Sequence, residues 1–143
     1  MKRTIIALAA VVVLTAGIAV ATPSRGFTTK LLGSATIDSL SIQESEPSTA
    51  LFVRVEQEPG GTSGWHSHPA DVFVLVRKGR VALIEEGDCT RTVYTRGEIF
   101  HETPGHVGKV MNVGDDEAVL IATFVGLPPG AAPLTDEANP CLT

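Results

Sequence analysis

Two histidines, His66 and His68, stand two residues apart at the start of an apolar run rich in β-forming residues. In a β-strand the side chains at positions i and i+2 leave the same face, so this spacing directs both imidazoles toward one point. Imidazole nitrogen is a common ligand of divalent transition metals. The pair therefore predicts a metal site held from a sheet. The alternative is that both rings hydrogen-bond to backbone at the mouth of an empty scaffold or apolar pocket.

The elements that position this pair are predicted to be short strands separated by turns rich in Gly, Pro and Asp. No helical pattern stands out beyond the N-terminal segment, and the chain is long enough for one domain with a hydrophobic core. The pattern predicts an all-β antiparallel double sheet or small barrel. The predicted strands are Ala35–Ile42 as a weak edge strand, Leu51–Val55, Val72–Val76, Val81–Ile84, Arg91–Thr95, Ile99–Glu102, His106–Val113 and Ala118–Val125.

The N-terminal 21 residues are predicted to be a signal peptide or a membrane anchor. Lys2 and Arg3 precede an apolar stretch over residues 5–21, which ends in Ala-Val-Ala, a pattern typical of a cleavage site. The stretch is at the short end of what spans a bilayer, so the anchor stays open as the alternative. Either reading places the domain outside the cytoplasm, as a secreted or periplasmic protein or one anchored at the outer face of the membrane. Residues 22–34 are predicted to be a linker or a loosely attached strand, and residues 35–143 a domain with a Pro-rich tail.

The charge balance argues against a nucleic-acid partner. The chain carries a formal net charge of −5 at pH 7, and aromatic residues make up 5% of it. Removal of Lys2 and Arg3 with the predicted signal would take the charge from −5 to −7. Without a basic stripe, the chain lacks the electrostatic footprint of nucleic-acid binding.

The chain has two cysteines, Cys89 and Cys141. In an exported protein a single pair is most simply explained as a disulfide, which here would tie the Pro-rich tail to a turn of the domain. Two unrelated free thiols are the alternative. Neither cysteine is near the histidines in sequence, which argues against a catalytic thiol.

The residues around the histidine pair resemble the first motif of the cupin superfamily, whose members are small β-barrels of jelly-roll type. That motif combines a glycine, a His-x-His pair, a glutamate and a closing glycine, and is matched by Gly60, His66, His68 and Gly79. The second motif is matched in part, by Gly97, Pro104 and Asn112. The stretch Gly-Trp-His-Ser-His-Pro at residues 64–69 is similar to small exported single-domain cupins. The resemblance covers residues 35–125 and implies a cupin-type jelly-roll β-barrel, preceded by the N-terminal signal or anchor helix.

Two of the four metal ligands that this resemblance implies are absent. The glutamate position of the first motif holds Val72, and the histidine position of the second holds Gly108. His106 lies two residues before Gly108 and would share its face on one strand, so it is a candidate ligand. Glu102 lies just before the Pro104-Gly105 turn and is another. Since neighbouring strand residues point to opposite faces, at most one of His101 and Glu102 faces inward, and Glu102 is preferred.

A metal site formed by His66, His68, His106 and either Glu102 or a water would suit Zn, Fe, Mn or Ni. Three protein ligands leave an open position, which is typical of catalytic rather than structural sites. The sequence therefore predicts an exported cupin that binds a divalent metal and acts on or binds a small organic molecule. The alternative is a non-catalytic module for a metal or small ligand, or a structural barrel with a decayed site. The resemblance also implies a homodimer.

Overall fold

A computed structural model of the 143-residue chain describes residues 22–37 and 47–142. Every regular element in these ranges is a β-strand. Within the same ranges no helix is long and apolar enough to cross a membrane. The signal peptide or anchor predicted for residues 1–21 lies outside the described residues.

Ten strands follow one another along the described chain. They are β1 Arg25–Ile37, β2 Ser48–Thr62, β3 His66–Ser67, β4 Asp71–Lys78, β5 Arg80–Glu85, β6 Arg91–Thr95, β7 Ile99–Glu102, β8 Gly108–Asn112, β9 Ala118–Leu127 and β10 Thr135–Asp136.

The strands form two antiparallel layers that join into a nearly closed barrel. One layer has the order β1-β2-β9-β4-β7, and the other has the order β6-β5-β8-β3-β10. The layers are joined where Thr62 at the end of β2 pairs with Met111 of β8. This arrangement confirms the prediction of an all-β jelly-roll barrel.

Alternation along the strands sends one face of each layer into the barrel. In β4, for example, Val72, Val74 and Val76 are buried while Phe73 is exposed. The same period in the other strands builds one continuous apolar core. Its buried members are Val55, Val72, Val74, Val76, Val81, Leu83, Phe100, Val110, Ala118, Leu120, Ala122 and Phe124.

Of the two predictions for residues 22–34, a linker or a loosely attached strand, the structure has the strand, because Arg25–Ile37 forms strand β1 along the edge of β2. Inward-facing positions alternate as Phe27, Thr29 and Leu31, which all line the barrel cavity. The sequence obscures this period because Thr29 is polar and Leu32, on the opposite face, is apolar. Strand β1 is paired on one side only and most of its described side chains are exposed, so its sequence carries little hydrophobic alternation.

Two further boundaries differ from those predicted. Strand β2 runs from Ser48 through Pro59-Gly60-Gly61 to Thr62, well beyond the predicted strand Leu51–Val55. Strand β8 begins at Gly108, two residues later than predicted, because residues Thr103–His106 form a turn in which the His106 N–H donates to the Thr103 carbonyl. The predicted Pro-rich tail also contains a short strand, β10, which pairs with β3.

Cys89 and Cys141 form a disulfide, as the sequence predicted. Cys89 lies in the turn between β5 and β6, and Cys141 lies close to the end of the tail. The bridge therefore anchors the tail, on which β10 is carried, to the layer that contains β3.

Candidate metal centre

Three potential metal ligands come together inside the barrel. They are His66, His68 and Glu102, whose donor atoms all lie within 4.8 Å of one another. Glu102 Oε1 is 3.8 Å from Nε2 of His66, and Glu102 Oε2 is 3.6 Å from Nε2 of His68. All three side chains are buried. It is the one cluster of three or more such donors in residues 22–37 and 47–142.

Backbone carbonyls fix the orientation of both imidazole rings. Nδ1 of His66 is 3.0 Å from the carbonyl oxygen of Gly64, and Nδ1 of His68 is 2.7 Å from that of Pro133. A carbonyl only accepts, so Nδ1 of each ring carries the proton and donates it. The lone pair of a neutral ring is then on Nε2, the atom that faces Glu102. In metal sites, a histidine that binds the ion through one ring nitrogen is commonly oriented by a hydrogen bond from its other ring nitrogen.

The loop before His66 is held by a left-handed glycine. Gly64 has φ +74°, and a Cβ built there would lie 2.2 Å from the carbonyl oxygen of Thr22. Only glycine fits this close approach of two backbone segments. The neighbouring Trp65 is buried, and its backbone N–H donates to Oγ1 of Thr22, so the loop before the histidine pair is held against the N-terminal segment.

The carboxylate reaches the site from strand β7. Glu102 is the partner of Val72 across the β4–β7 pair, and both side chains point into the barrel. Val72 is 1% exposed and lines the cavity, so its strand has the register that the sequence predicted. The carboxyl group missing from position 72 is therefore present on the residue directly opposite.

Gly108 leaves room beside the same cluster. It pairs with His66 across β3 and β8, and a Cβ built at this position would lie 3.9 Å from Oε1 of Glu102. The other nearest atoms, the Ile84 carbonyl oxygen and Leu83 Cδ1, are each 3.7 Å away, which is ordinary van der Waals contact. Position 108 therefore faces Glu102 and borders a small recess that all three donors also line, so the Glu102 carboxylate is next to the space that a larger side chain would enter.

His106 and His101 lie away from the cluster. The His106 side chain is exposed, because its residue precedes β8 in a turn and does not share the strand face of Gly108. It borders a small recess that Glu102 also lines, yet it is not among the three grouped donors, and ligation by His106 stays a prediction without support from this geometry. His101 points outward, where Nε2 is 2.7 Å from Oδ1 of Asp71, as expected from its parity with Glu102.

Burial and charge act differently on the two buried histidines. Burial lowers the pKa of His66 below its usual value, and the nearby Glu102 carboxylate offsets only part of this effect. Burial also disfavours the cation of His68, but the Glu102 carboxylate and the Pro133 carbonyl favour it more strongly and raise its pKa.

A cavity of about 590 Å³ extends from the donors into the barrel. Core side chains of β2, β4 and β9 form its walls, and β1 forms one side. Pro133, Leu134 and Asp136 of the tail also line it. The tail is held there by β10 and by Ser67, whose hydroxyl donates to Oε1 of Glu137 at 2.8 Å. Sequence reasoning missed this contribution, because the disulfide shows where the tail ends but not which tail residues meet the site.

Comparison with known families identifies one match. A family model described as "Cupin domain" matches residues 53–124, about half of the chain and the part that carries all three donors. No curated protein matches the chain.

Solved structures of several proteins are similar to this chain. An oxalate oxidase is 31% identical over 57% of this chain and 44% of its own, with a TM-score of 0.51. An oxalate oxidase in complex with glycolate is 25% identical over 73% of this chain and 53% of its own, with a TM-score of 0.56. A cupin-like protein from Thermotoga maritima is 21% identical over 78% of this chain and 79% of its own, with a TM-score of 0.56. The chain thus spans about half the length of these oxalate oxidases.

Proposed function

The chain belongs to the cupin domain family, and from this premise we propose that it holds a divalent metal ion at His66, His68 and Glu102 and binds a small organic molecule in the adjoining cavity. One observation carries the proposal. Each histidine donates Nδ1–H to a carbonyl, which turns the free Nε2 of both rings toward one buried carboxylate.

The donor set fits a divalent transition metal. Two neutral imidazoles and one carboxylate are the ligands of many non-haem Fe(II) and catalytic Zn sites, and Mn or Ni accept the same donors. A buried carboxylate with only histidines as charged neighbours is also costly without a cation, which favours occupation by a metal. When bound, such an ion supplies Lewis-acid polarisation of a ligand oxygen.

The protein residues would bind and orient the organic molecule. The apolar walls exclude water, which strengthens the electrostatic attraction between the site and a ligand oxygen. Similarity to oxalate oxidases supports a catalytic role, in which the ligand is converted after it binds.

Binding without turnover is the second candidate function. Apart from the three donors, Asp136 is the single ionisable side chain among the described residues that line the cavity, and it is exposed. If Glu102 binds the metal, few groups remain to move a proton, which favours capture of a metal or small ligand. Product analysis of the metal-loaded protein separates the two candidates.

We place the protein outside the cytoplasm. The disulfide between Cys89 and Cys141 is compatible with an oxidising compartment, and the N-terminal sequence has the pattern of an export signal or anchor. Membrane anchoring through residues 5–21 and homodimer formation remain predictions.

Metal content tests the proposal directly. The full-length chain, without a His tag, would be purified beside a His66→Ala/His68→Ala variant and analysed by elemental mass spectrometry. A His101→Ala variant is the matched control, because that histidine is on the outer face. We expect near-stoichiometric metal in wild type and control, and its loss in the double variant. Equal metal content in all three proteins, or none in wild type incubated with Zn, Fe(II), Mn or Ni, would overturn the proposal.

A further inference from the structure

The cavity beside the three donors is mainly apolar, whereas the donors are polar. Most of its lining is aliphatic or aromatic, including Val53, Val55, Val74, Leu120, Ala122 and Phe124. These residues come from β2, β4 and β9 and also belong to or pack against the buried core. A ligand in this cavity therefore exchanges water for apolar contacts over most of its surface.

The charged groups at the cavity do not suit a ligand with two anionic ends. No lysine or arginine is among the described residues that line it, and the ionisable ones are His66, His68, Glu102 and Asp136. One anionic group of a ligand would meet the metal. A second carboxylate would face the apolar wall or the negative side chain of Asp136, without a cation to pair with, and burying an unpaired charge is costly.

The size of the cavity also argues against a small ligand with two anionic ends. Its volume of about 590 Å³ lies within the range of roughly 300–1,000 Å³ that holds drug-sized organic molecules. A two-carbon acid would fill only a small part of it and would leave the apolar wall in contact with water.

We infer that the ligand is a largely apolar organic molecule with a single oxygen donor, such as a phenol or an enol, and that it is not a small dicarboxylate. This inference rests on the proposed function and names the ligand class of the same site. It separates the chain from the oxalate oxidases that share its fold, because the walls of a barrel rather than its topology select the ligand.

Two probes of opposite character test the inference. The metal-loaded full-length protein is titrated with 2-naphthol, which is apolar and carries one hydroxyl, and separately with oxalate. Isothermal calorimetry gives the affinities. The metal retained by the protein is measured after each titration, so that extraction of the ion by oxalate is not counted as binding. We expect 2-naphthol to bind at least about tenfold more tightly than oxalate.

A pair of variants on one strand locates the binding. Ala122 lines the cavity, and Ile121 occupies the opposite face of β9. Ala122→Phe fills the cavity and is expected to weaken 2-naphthol binding at least tenfold, with metal content unchanged. Ile121→Phe is expected to keep the wild-type affinity for 2-naphthol. Ala122→Leu is the smaller step if the phenylalanine prevents folding.

The outcomes separate this inference from the proposed function. Tighter binding of oxalate than of 2-naphthol by the metal-loaded protein overturns the inference and leaves the metal site intact. Equal 2-naphthol affinity in wild type and Ala122→Phe also overturns it. If wild type holds no metal, the proposed function fails. The inference about the walls then stands only if the metal-free protein binds 2-naphthol and Ala122→Phe abolishes that binding.

Discussion

The Glu102→Gln substitution tests whether the carboxylate on β7 is a metal ligand. Glutamine keeps the length and shape of the side chain and removes its charge, so the barrel should fold as before. The carboxylate is buried, and its oxygens lie 3.6 and 3.8 Å from the two Nε2 atoms that define the site. We expect this single atom exchange to weaken metal binding strongly.

The magnitude follows from the charge and its surroundings. Two unit charges about 4 Å apart attract by about 4 kcal/mol at an effective dielectric constant of about 20, and the attraction to a divalent ion is larger. The amide oxygen of glutamine and relief of the carboxylate's desolvation recover part of this loss. A net loss of about 3 kcal/mol corresponds to an affinity about 100-fold lower.

Thermal unfolding with and without metal measures the effect. At a metal concentration of about 100 times the wild-type Kd, wild type gains about 2.7 kcal/mol of stability, or roughly 10 °C in Tm. The variant, with a Kd about 100-fold higher, gains only about 0.4 kcal/mol. The pKa of His68 in the metal-free variant, followed by NMR, should also fall, because the carboxylate helps to raise it.

Asp71→Asn is the matched control for this substitution. Asp71 pairs with His101 at 2.7 Å on the outer face, so the variant removes a carboxylate beside a histidine without touching the cavity. The control should keep the full metal-dependent rise in Tm. The reasoning is refuted if Glu102→Gln keeps it too, or if both variants lose it equally.

Three other predictions follow from the structure. Gly108→His should fold, since its Cβ has ordinary contacts, and should bind metal about tenfold more tightly because position 108 borders the recess that all three donors line; an unchanged Kd in metal-competition titrations would show that the new ring does not reach them. Joint replacement of Cys89 and Cys141 by serine removes a cross-link between residues 52 apart and should lower the free energy of unfolding by about 4 kcal/mol; urea denaturation that shows no loss would contradict this. Gln57→Leu should raise the stability of the ligand-free protein by about 1 kcal/mol, because Oε1 of this fully buried side chain has no hydrogen-bond partner among the described residues and the one bond lost, from Nε2 to the Val110 carbonyl, is long at 3.4 Å; a lower Tm would show that the amide is satisfied.

Strand existence could be predicted from the sequence because it depends on local composition, and β4, β5, β6 and β7 are each short runs rich in apolar or β-branched residues between turn signals. For strand β1 the sequence did not distinguish a linker from a loosely attached strand, since its inward positions Phe27, Thr29 and Leu31 do not alternate cleanly with polar residues. The extension of β2 through Pro59 depends on its pairing with β1 and β8, and pairing partners distant in sequence leave no local signal. Tertiary contacts therefore decided what the local pattern left open.

In the candidate site, too, features that depend on neighbouring residues could be predicted, whereas contacts between residues distant in sequence could not. Parity predicted that at most one of His101 and Glu102 faces inward, with Glu102 preferred, and in the structure Glu102 is buried while His101 points outward. The assignment of His106 failed to gain support because it required the strand to begin two residues earlier than it does. The contact between His68 and the Pro133 carbonyl joins residues that are 65 positions apart, and no sequence pattern predicts it.

Val72 and Glu102 together explain how the site keeps a carboxylate that its first motif lacks. The two residues are opposite one another on β4 and β7, so their side chains enter the barrel side by side. A carboxylate moved from one strand to its neighbour reaches the same space, provided that space is free. Gly108 borders that space, and a Cβ there would make only ordinary contact with Glu102, 3.9 Å from Oε1. The histidine pair therefore keeps an acidic neighbour although position 72 holds valine, and position 108 has room for a further ligand without displacing Glu102.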